Sequence, residues 1–224
     1  MDLTTDTIEQ PPTGNGTGNG GARVGKVTSS RRAAFTVPGL TNADGSQVAT
    51  VLQSRLMSLV DLTLTLKHIH WNVVGPNFIA VHELLDAHHA GVQQMVDDLA
   101  ERIATLGGVP SGLPGHIVEA RTWDDYGLDR ADSLSHLGAL DLVYQGVIGG
   151  HRQAIAATRE LDPITEDLLI GQTGKLERYH WMVRSHLVDW AGGMTNAGAR
   201  SEIDAARAVA AKSSRNATRS GDNQ

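Results

Sequence analysis

Between the breakers Gly75-Pro76 and Gly107-Gly108, with Pro110 just beyond, the chain holds an uninterrupted stretch from Asn77 to Leu106. On a wheel of about 100° per residue with His82 at zero, Phe78, Val81, Leu85, Val92, Val96, Leu99 and Ile103 fall between about 260° and 320°. One apolar stripe of that regularity predicts a single helix from Asn77 to Leu106, about 45 Å long at about 1.5 Å per residue. Asn77 is the expected N-cap, and Gly107 the stop. A helix of that length needs partners of similar length to cover its stripe.

The flanking sequence supplies them. A first helix is predicted over about 43–73, where Val48, Leu52, Leu56, Leu59, Leu66 and Ile69 recur at helical spacing. A third is predicted over about 129–161 (Leu134, Leu137, Leu140, Val143, Val147, Ile155) and a fourth from Pro163 to Trp190, ending at Gly192-Gly193. No alternating β pattern competes. Tight breaks join the first helix to the second and the third to the fourth. Between the pairs runs one long connection, SGLPGHIVEARTWDDYGL. The expectation is an all-α, ferritin-like four-helix bundle with a long crossover between its second and third helices, over residues 35–192.

The ends read differently. Residues 1–34 are rich in Gly, Thr, Pro and Asn, lack apolar periodicity, and are expected to form a disordered tail; residues 193–224 are expected to form a second flexible tail, weakly helical at best. Charge follows the same division. Residues 36–204 carry 11 Lys/Arg against 21 Asp/Glu, whereas Arg23, Lys26, Arg31 and Arg32 in one tail and Arg207, Lys212, Arg215 and Arg219 in the other stand in acid-free segments. No apolar run approaches a membrane span and no secretory h-region opens the chain, which points to a soluble, cytoplasmic protein. The absence of cysteine excludes disulfides and thiolate sites, so any metal must be held by His and carboxylate.

On the wheel of the second helix, His82 (0°), Asp86 (about 40°), Asp97 (about 60°) and Glu101 (about 100°) share an arc away from the apolar stripe. His70 closes the first helix nearby in sequence. An acidic helix face is usually just solvated, and a lone His beside apolar residues is usually packed; it is the conjunction that points to metal. Asp86 and Asp97 are separated by about 16 Å of helical rise, too far for both to bind one ion. The simplest completion is a two-fold dimer in which His82 and Asp86 of one subunit face Asp97 and Glu101 of the other.

The string KHIHWNVVGPNFIAVHELLD, followed by DDLAERIATLGG, resembles the signature of the Dps proteins, the mini-ferritins of starved cells. Their pattern His-x11-His-x3-Asp-x10-Asp-x3-Glu is met by His70, His82, Asp86, Asp97 and Glu101, and the likeness spans about residues 36–192, including RTWDDY at Arg121 to Tyr126. The resemblance implies a hollow dodecamer built from two-fold dimers, with these five residues as iron ligands of intersubunit ferroxidase centres. It further implies oxidation of Fe(II) by hydrogen peroxide and storage of ferric mineral. Trp71, beside His70, is either a core anchor or an electron donor to stray oxidants. By the same resemblance Asp162, Glu166 and Asp167 are candidates for an iron-entry pore, though a helix N-terminus attracts acids anyway. The basic tails suggest sequence-independent DNA binding as a second activity. Glu177 and His180 form a Glu-x-x-His pair, but only one copy exists, so an in-bundle di-iron site is not expected; a packing or surface role is expected for His180, and packing ahead of a secondary metal site for His88 and His89.

Overall fold

The computed structural model describes residues 35–221, with side chains described through residue 212. Arg23, Lys26, Arg31 and Arg32 lie outside the described residues, as do the side chains of Arg215 and Arg219. Four long helices form the expected bundle: α1 (Asn42–Asn72), α2 (Phe78–Thr105), α4 (Ser133–Thr158) and α5 (Pro163–Ser185), with a short α3 (Pro114–Ala120) inside the crossover and α6 (Glu202–Gly221) after it. α1 packs on α2 and α4 on α5, and α1 also meets α4. Leu52, Leu59, Leu66, Leu85, Leu99, Leu137, Leu140, Leu169 and Leu176 are among the core side chains with no exposed surface. Each contributes about 1.5–3 kcal/mol of transfer free energy.

Local chemistry sets the helix ends. The Thr41 hydroxyl accepts from the Asp44 N–H at 3.1 Å to start α1. Asn77 precedes α2, but as a left-handed residue (φ 64°) whose side chain makes no cap bond, so its role is to turn the chain rather than to satisfy amides. Gly107 at φ 82° and the Gly108 N–H to Ile103 C=O bond (2.9 Å) close α2. Asp132 caps α4 through Leu134 and Ser135. Asp162 precedes α5 without capping it, because its carboxylate is taken by Arg102 at 2.6 Å and Thr165 at 2.5 Å. Gly91, inside α2, is required by packing: a Cβ there would collide with the Tyr179 hydroxyl.

Three elements depart from the sequence expectation. Val73–Val74 pairs in parallel with Ala131–Asp132, so the end of α1 is strapped to the start of α4 by a two-residue ladder. The fourth helix stops at Ser185, before Trp190, and Val188 bridges Met194 across a turn. The segment expected as a flexible second tail contains α6, which packs on α4 with Ala205, Ala206 and Val209 buried. Its stripe of small residues is a weak hydrophobic signal, and its seat is a notch: a Cβ on Gly138 would crowd Val209 and the Ala205 backbone. Asn196, also buried, donates to Gly138 C=O (3.2 Å) and Asp141 (2.9 Å) and fastens the lead-in.

Candidate metal centre

The junction where α1 ends and α2 begins brings His70, His82 and Asp86 together. Each offers one donor atom, and the three atoms lie within 4.8 Å of one another. The two imidazoles stack with centroids 3.6 Å apart. They also exchange hydrogen bonds: His70 Nδ1 faces the His82 carbonyl at 3.2 Å and His82 Nδ1 faces the His70 carbonyl at 3.1 Å. A carbonyl can only accept, so both Nδ1 atoms carry hydrogen and both Nε2 lone pairs are left to bind a cation. His70 is buried, His82 half-buried and Asp86 exposed, which makes a site with a protein wall on one side and solvent on the other.

Lys67, one turn before His70, was not assigned from the sequence. Its Nζ donates to Asp86 Oδ1 at 2.7 Å, and this bond, helped by the Lys67 charge, holds the Asp86 carboxyl below its usual range. The Lys67 signal was in the sequence, at i−3 from His70, but the α1–α2 contact that aims it was not. Asp97 and Glu101 are not in this cluster. They lie on the exposed side of α2, and neither carboxylate has an ion-pair or hydrogen-bond partner among the described residues. Trp71 is 72% exposed, which corrects the reading of it as a core anchor.

Residues 49–192 match the ferritin-like domain. The chain is 50% identical over 179 residues to the DNA protection during starvation protein of Mycolicibacterium smegmatis, covering 80% of this chain and 98% of that one. It is 49% identical over 164 residues to the fine tangled pili major subunit of Haemophilus ducreyi, covering 73% and 87%. The solved structure of Mycobacterium smegmatis Dps superimposes with a TM-score of 0.73 at 51% identity, covering 74% of this chain and 95% of that one. The chain belongs to the Dps family. This ferritin-like family serves iron storage and DNA protection, and among the described residues no helix is long and apolar enough to cross a membrane.

Inside this Dps bundle one group of polar side chains is bonded together, whereas the buried Nε2 atoms of His88, His136 and His151 have no partner among the described residues. His180 Nε2 meets Asp141 at 2.6 Å, and Arg184, Asn196 and Gln145 also donate to that carboxylate. Glu177 turns outward to Arg152, so the Glu-x-x-His pair is split between core and surface. His88 is fully buried against the Tyr144 hydroxyl at 2.9 Å, and burial lowers its pKa to about 4; His89 is half-buried. Of the three acids at the start of α5, Asp162 is buried on Arg102, Glu166 pairs with Arg159 at 2.9 Å, and Asp167 is exposed. Two of the three are thus held by arginines of their own chain. Of the basic residues near the C-terminus, Arg207 is exposed, whereas Lys212 donates to Met194 C=O at 3.2 Å.

Proposed function

We propose that this Dps chain is a ferroxidase that oxidises Fe(II) with hydrogen peroxide at sites shared between subunits, and that it stores the ferric product in a hollow dodecamer in the cytoplasm. The observation that carries this reading is the convergence of His70, His82 and Asp86 donors within 4.8 Å, with Asp97 and Glu101 left unpaired farther along the same helix. Imidazole retains affinity for Fe(II), and hard carboxylate oxygens favour Fe(III). Asp97 and Glu101 of the partner subunit complete each site across a two-fold axis. Leu64 and Trp71, seven residues apart on one face of α1, are both exposed and offer that partner an apolar contact.

In the reaction two ferrous ions each give one electron to one peroxide. The O–O bond breaks, two protons are taken up, and two waters leave without free hydroxyl radical. This chain's residues orient the imidazoles through their carbonyl bonds and keep Asp86 ionised through Lys67. Trp71, exposed beside His70, is an electron donor to stray oxidants. Of the acids proposed for the iron entry, exposed Asp167 is the one free to meet a cation, with Glu166 and Asp162 held beside it by Arg159 and Arg102. The test is stopped-flow oxidation of Fe(II) by peroxide: His82→Ala or Asp97→Ala slows it, and rates equal to wild type in both would refute the proposal. Trp71→Phe is expected to raise the yield of trapped radical.

A second reading, sequence-independent DNA binding, is favoured by the exposed Arg207 on a helix whose later turns carry Arg215 and Arg219, and by the basic Arg23 to Arg32 segment. Many copies in one shell multiply weak phosphate contacts. A plasmid band shift at low salt tests it, with no retardation as the outcome that sinks it.

A further inference from the structure

A cavity of about 910 Å³ opens between α1, α4, the crossover and the segment entering α6. Arg55 stands on its wall and is partly buried, yet its guanidinium bonds only to the neighbouring Ser54 hydroxyl at 2.9 Å and pairs with no carboxylate among the described residues. It reaches over Gly150 of α4, where an added Cβ would meet Nη1 and push the guanidinium aside. Ser58, Gly149 and Gln153 line the same space, as does Arg200, which likewise has no carboxylate partner among the described residues. Most acids on the wall are already engaged. Asp61 accepts from Trp123 Nε1 at 2.9 Å, Asp125 holds Arg121 at 2.6 Å, and Glu202 accepts from the Gly127 N–H at 2.5 Å; Asp124 alone has no such partner.

We propose that the Arg55 end of this cavity is an oxyanion site of the phosphate class, with Arg55 as its cation, the Ser58 hydroxyl and Gln153 amide as neutral donors, and Arg200 on the same wall as a second positive charge. A guanidinium partly shielded from water without a counter-charge bears part of its desolvation cost, and in Arg55 that partial burial lowers the pKa with no opposing carboxylate. A bound oxyanion offsets it through paired N–H donors. Gly150 fits the same account, since its missing side chain leaves room for the Arg55 guanidinium on the cavity wall. The site is independent of the iron ligands, which lie beyond it at the α1–α2 junction. Its phosphate comes either from solution or from a nucleic-acid backbone.

The test is calorimetric titration of the intact iron-free oligomer with inorganic phosphate, alongside retention of a short DNA duplex. Wild type is expected to bind phosphate at one site per chain. Arg55→Gln and Gly150→Ala should each weaken binding at least tenfold, and Arg55→Lys less, with iron oxidation by Arg55→Gln unchanged. If duplex retention falls together with phosphate affinity, the source is the nucleic-acid backbone; if only phosphate affinity falls, it is free phosphate. Either result upholds the site. A wild type that takes up no phosphate overturns it, as does equal affinity in wild type and Arg55→Gln. Altered oligomer size in Arg55→Gln without phosphate uptake by wild type would instead assign the seat to a carboxylate of a second copy.

Discussion

At the α1–α2 junction, His70 and His82 each commit Nδ1 to a backbone carbonyl and keep Nε2 open, whereas in the bundle interior His180 gives Nε2 itself to Asp141, which also receives Arg184, Asn196 and Gln145. Both regions are built from imidazole and carboxylate. They differ in saturation. The interior group has satisfied its polar atoms with protein partners and adds cohesion between α4, α5 and the Asn196 segment. The junction group leaves donor atoms unsatisfied at the surface, where a cation can reach them. Metal chemistry is therefore legible in donor atoms left unbonded together and within reach of solvent, since His88 and His151 also leave Nε2 unpartnered but stand buried and apart from any carboxylate cluster.

The largest effect should come from emptying the saturated cluster. Asp141→Ala removes one acceptor and leaves a buried His180 without its partner and the Asn196 amide with the Gly138 carbonyl alone, at a cost of about 3–5 kcal/mol. Urea unfolding of the iron-free protein measures it, and limited proteolysis should show the segment beyond Asp189 opening first. A loss under about 1 kcal/mol would mean that the interior cluster does not hold the bundle as described.

Acid should separate the two regions next. His151 is fully buried and burial lowers its pKa to about 4 from 6.5. The unfolded chain therefore binds a proton that the folded one refuses, so stability is full above pH 6.5 and declines toward pH 4, by up to about 3 kcal/mol. Burial pushes the Asp141 carboxyl up, but bonds from His180, Arg184 and Asn196 outweigh it and hold it below its usual range. That contribution persists above the ordinary carboxylate pKa and is lost as pH falls below it. Thermal melts of wild type and His151→Leu across this window check the first part: the variant's profile should be flatter between pH 6.5 and 4.

The junction is tested by complementation. His82→Ala and Glu101→Ala homo-oligomers should each oxidise Fe(II) at least about tenfold more slowly than wild type. In a mixed two-fold dimer, the histidine half of the Glu101→Ala subunit meets the intact acidic half of the His82→Ala subunit, so one of the two sites is whole. Random mixing at equal amounts then restores about one quarter of the sites. No recovery after co-refolding would show that the five residues do not join across subunits.

The bundle was legible because its information is periodic. α1 and α2 fall within one residue of the expected bounds, and Pro163 does open α5, since breakers and apolar spacing act locally. α6 was not legible, because Ala205, Ala206 and Val209 become a core only against the notch at Gly138, which no window of sequence contains. At the site, the i,i+4 spacing of His82 and Asp86 follows from helix geometry alone. The stacking of His70 on His82 and the Lys67 bond to Asp86 depend on how two helices cross. Of the two readings of Trp71, the core anchor fails at 72% exposure, because aromatic bulk does not say which side of a helix a subunit covers.

The smallest expected effect is also the sharpest contrast. The Tyr144 hydroxyl is the described polar partner of the fully buried His88, whose Nε2 has none. Tyr144→Phe keeps the ring and the packing but leaves both imidazole nitrogens unpaired, which should cost about 1 kcal/mol in urea unfolding. His88 sits only two residues beyond Asp86 in sequence, yet its ring faces the core while Asp86 faces solvent. Fe(II) oxidation by Tyr144→Phe should therefore match wild type. A slower rate at unchanged stability would mean that the interior is coupled to the junction and that the division between the buried interior and the open site is not a functional one.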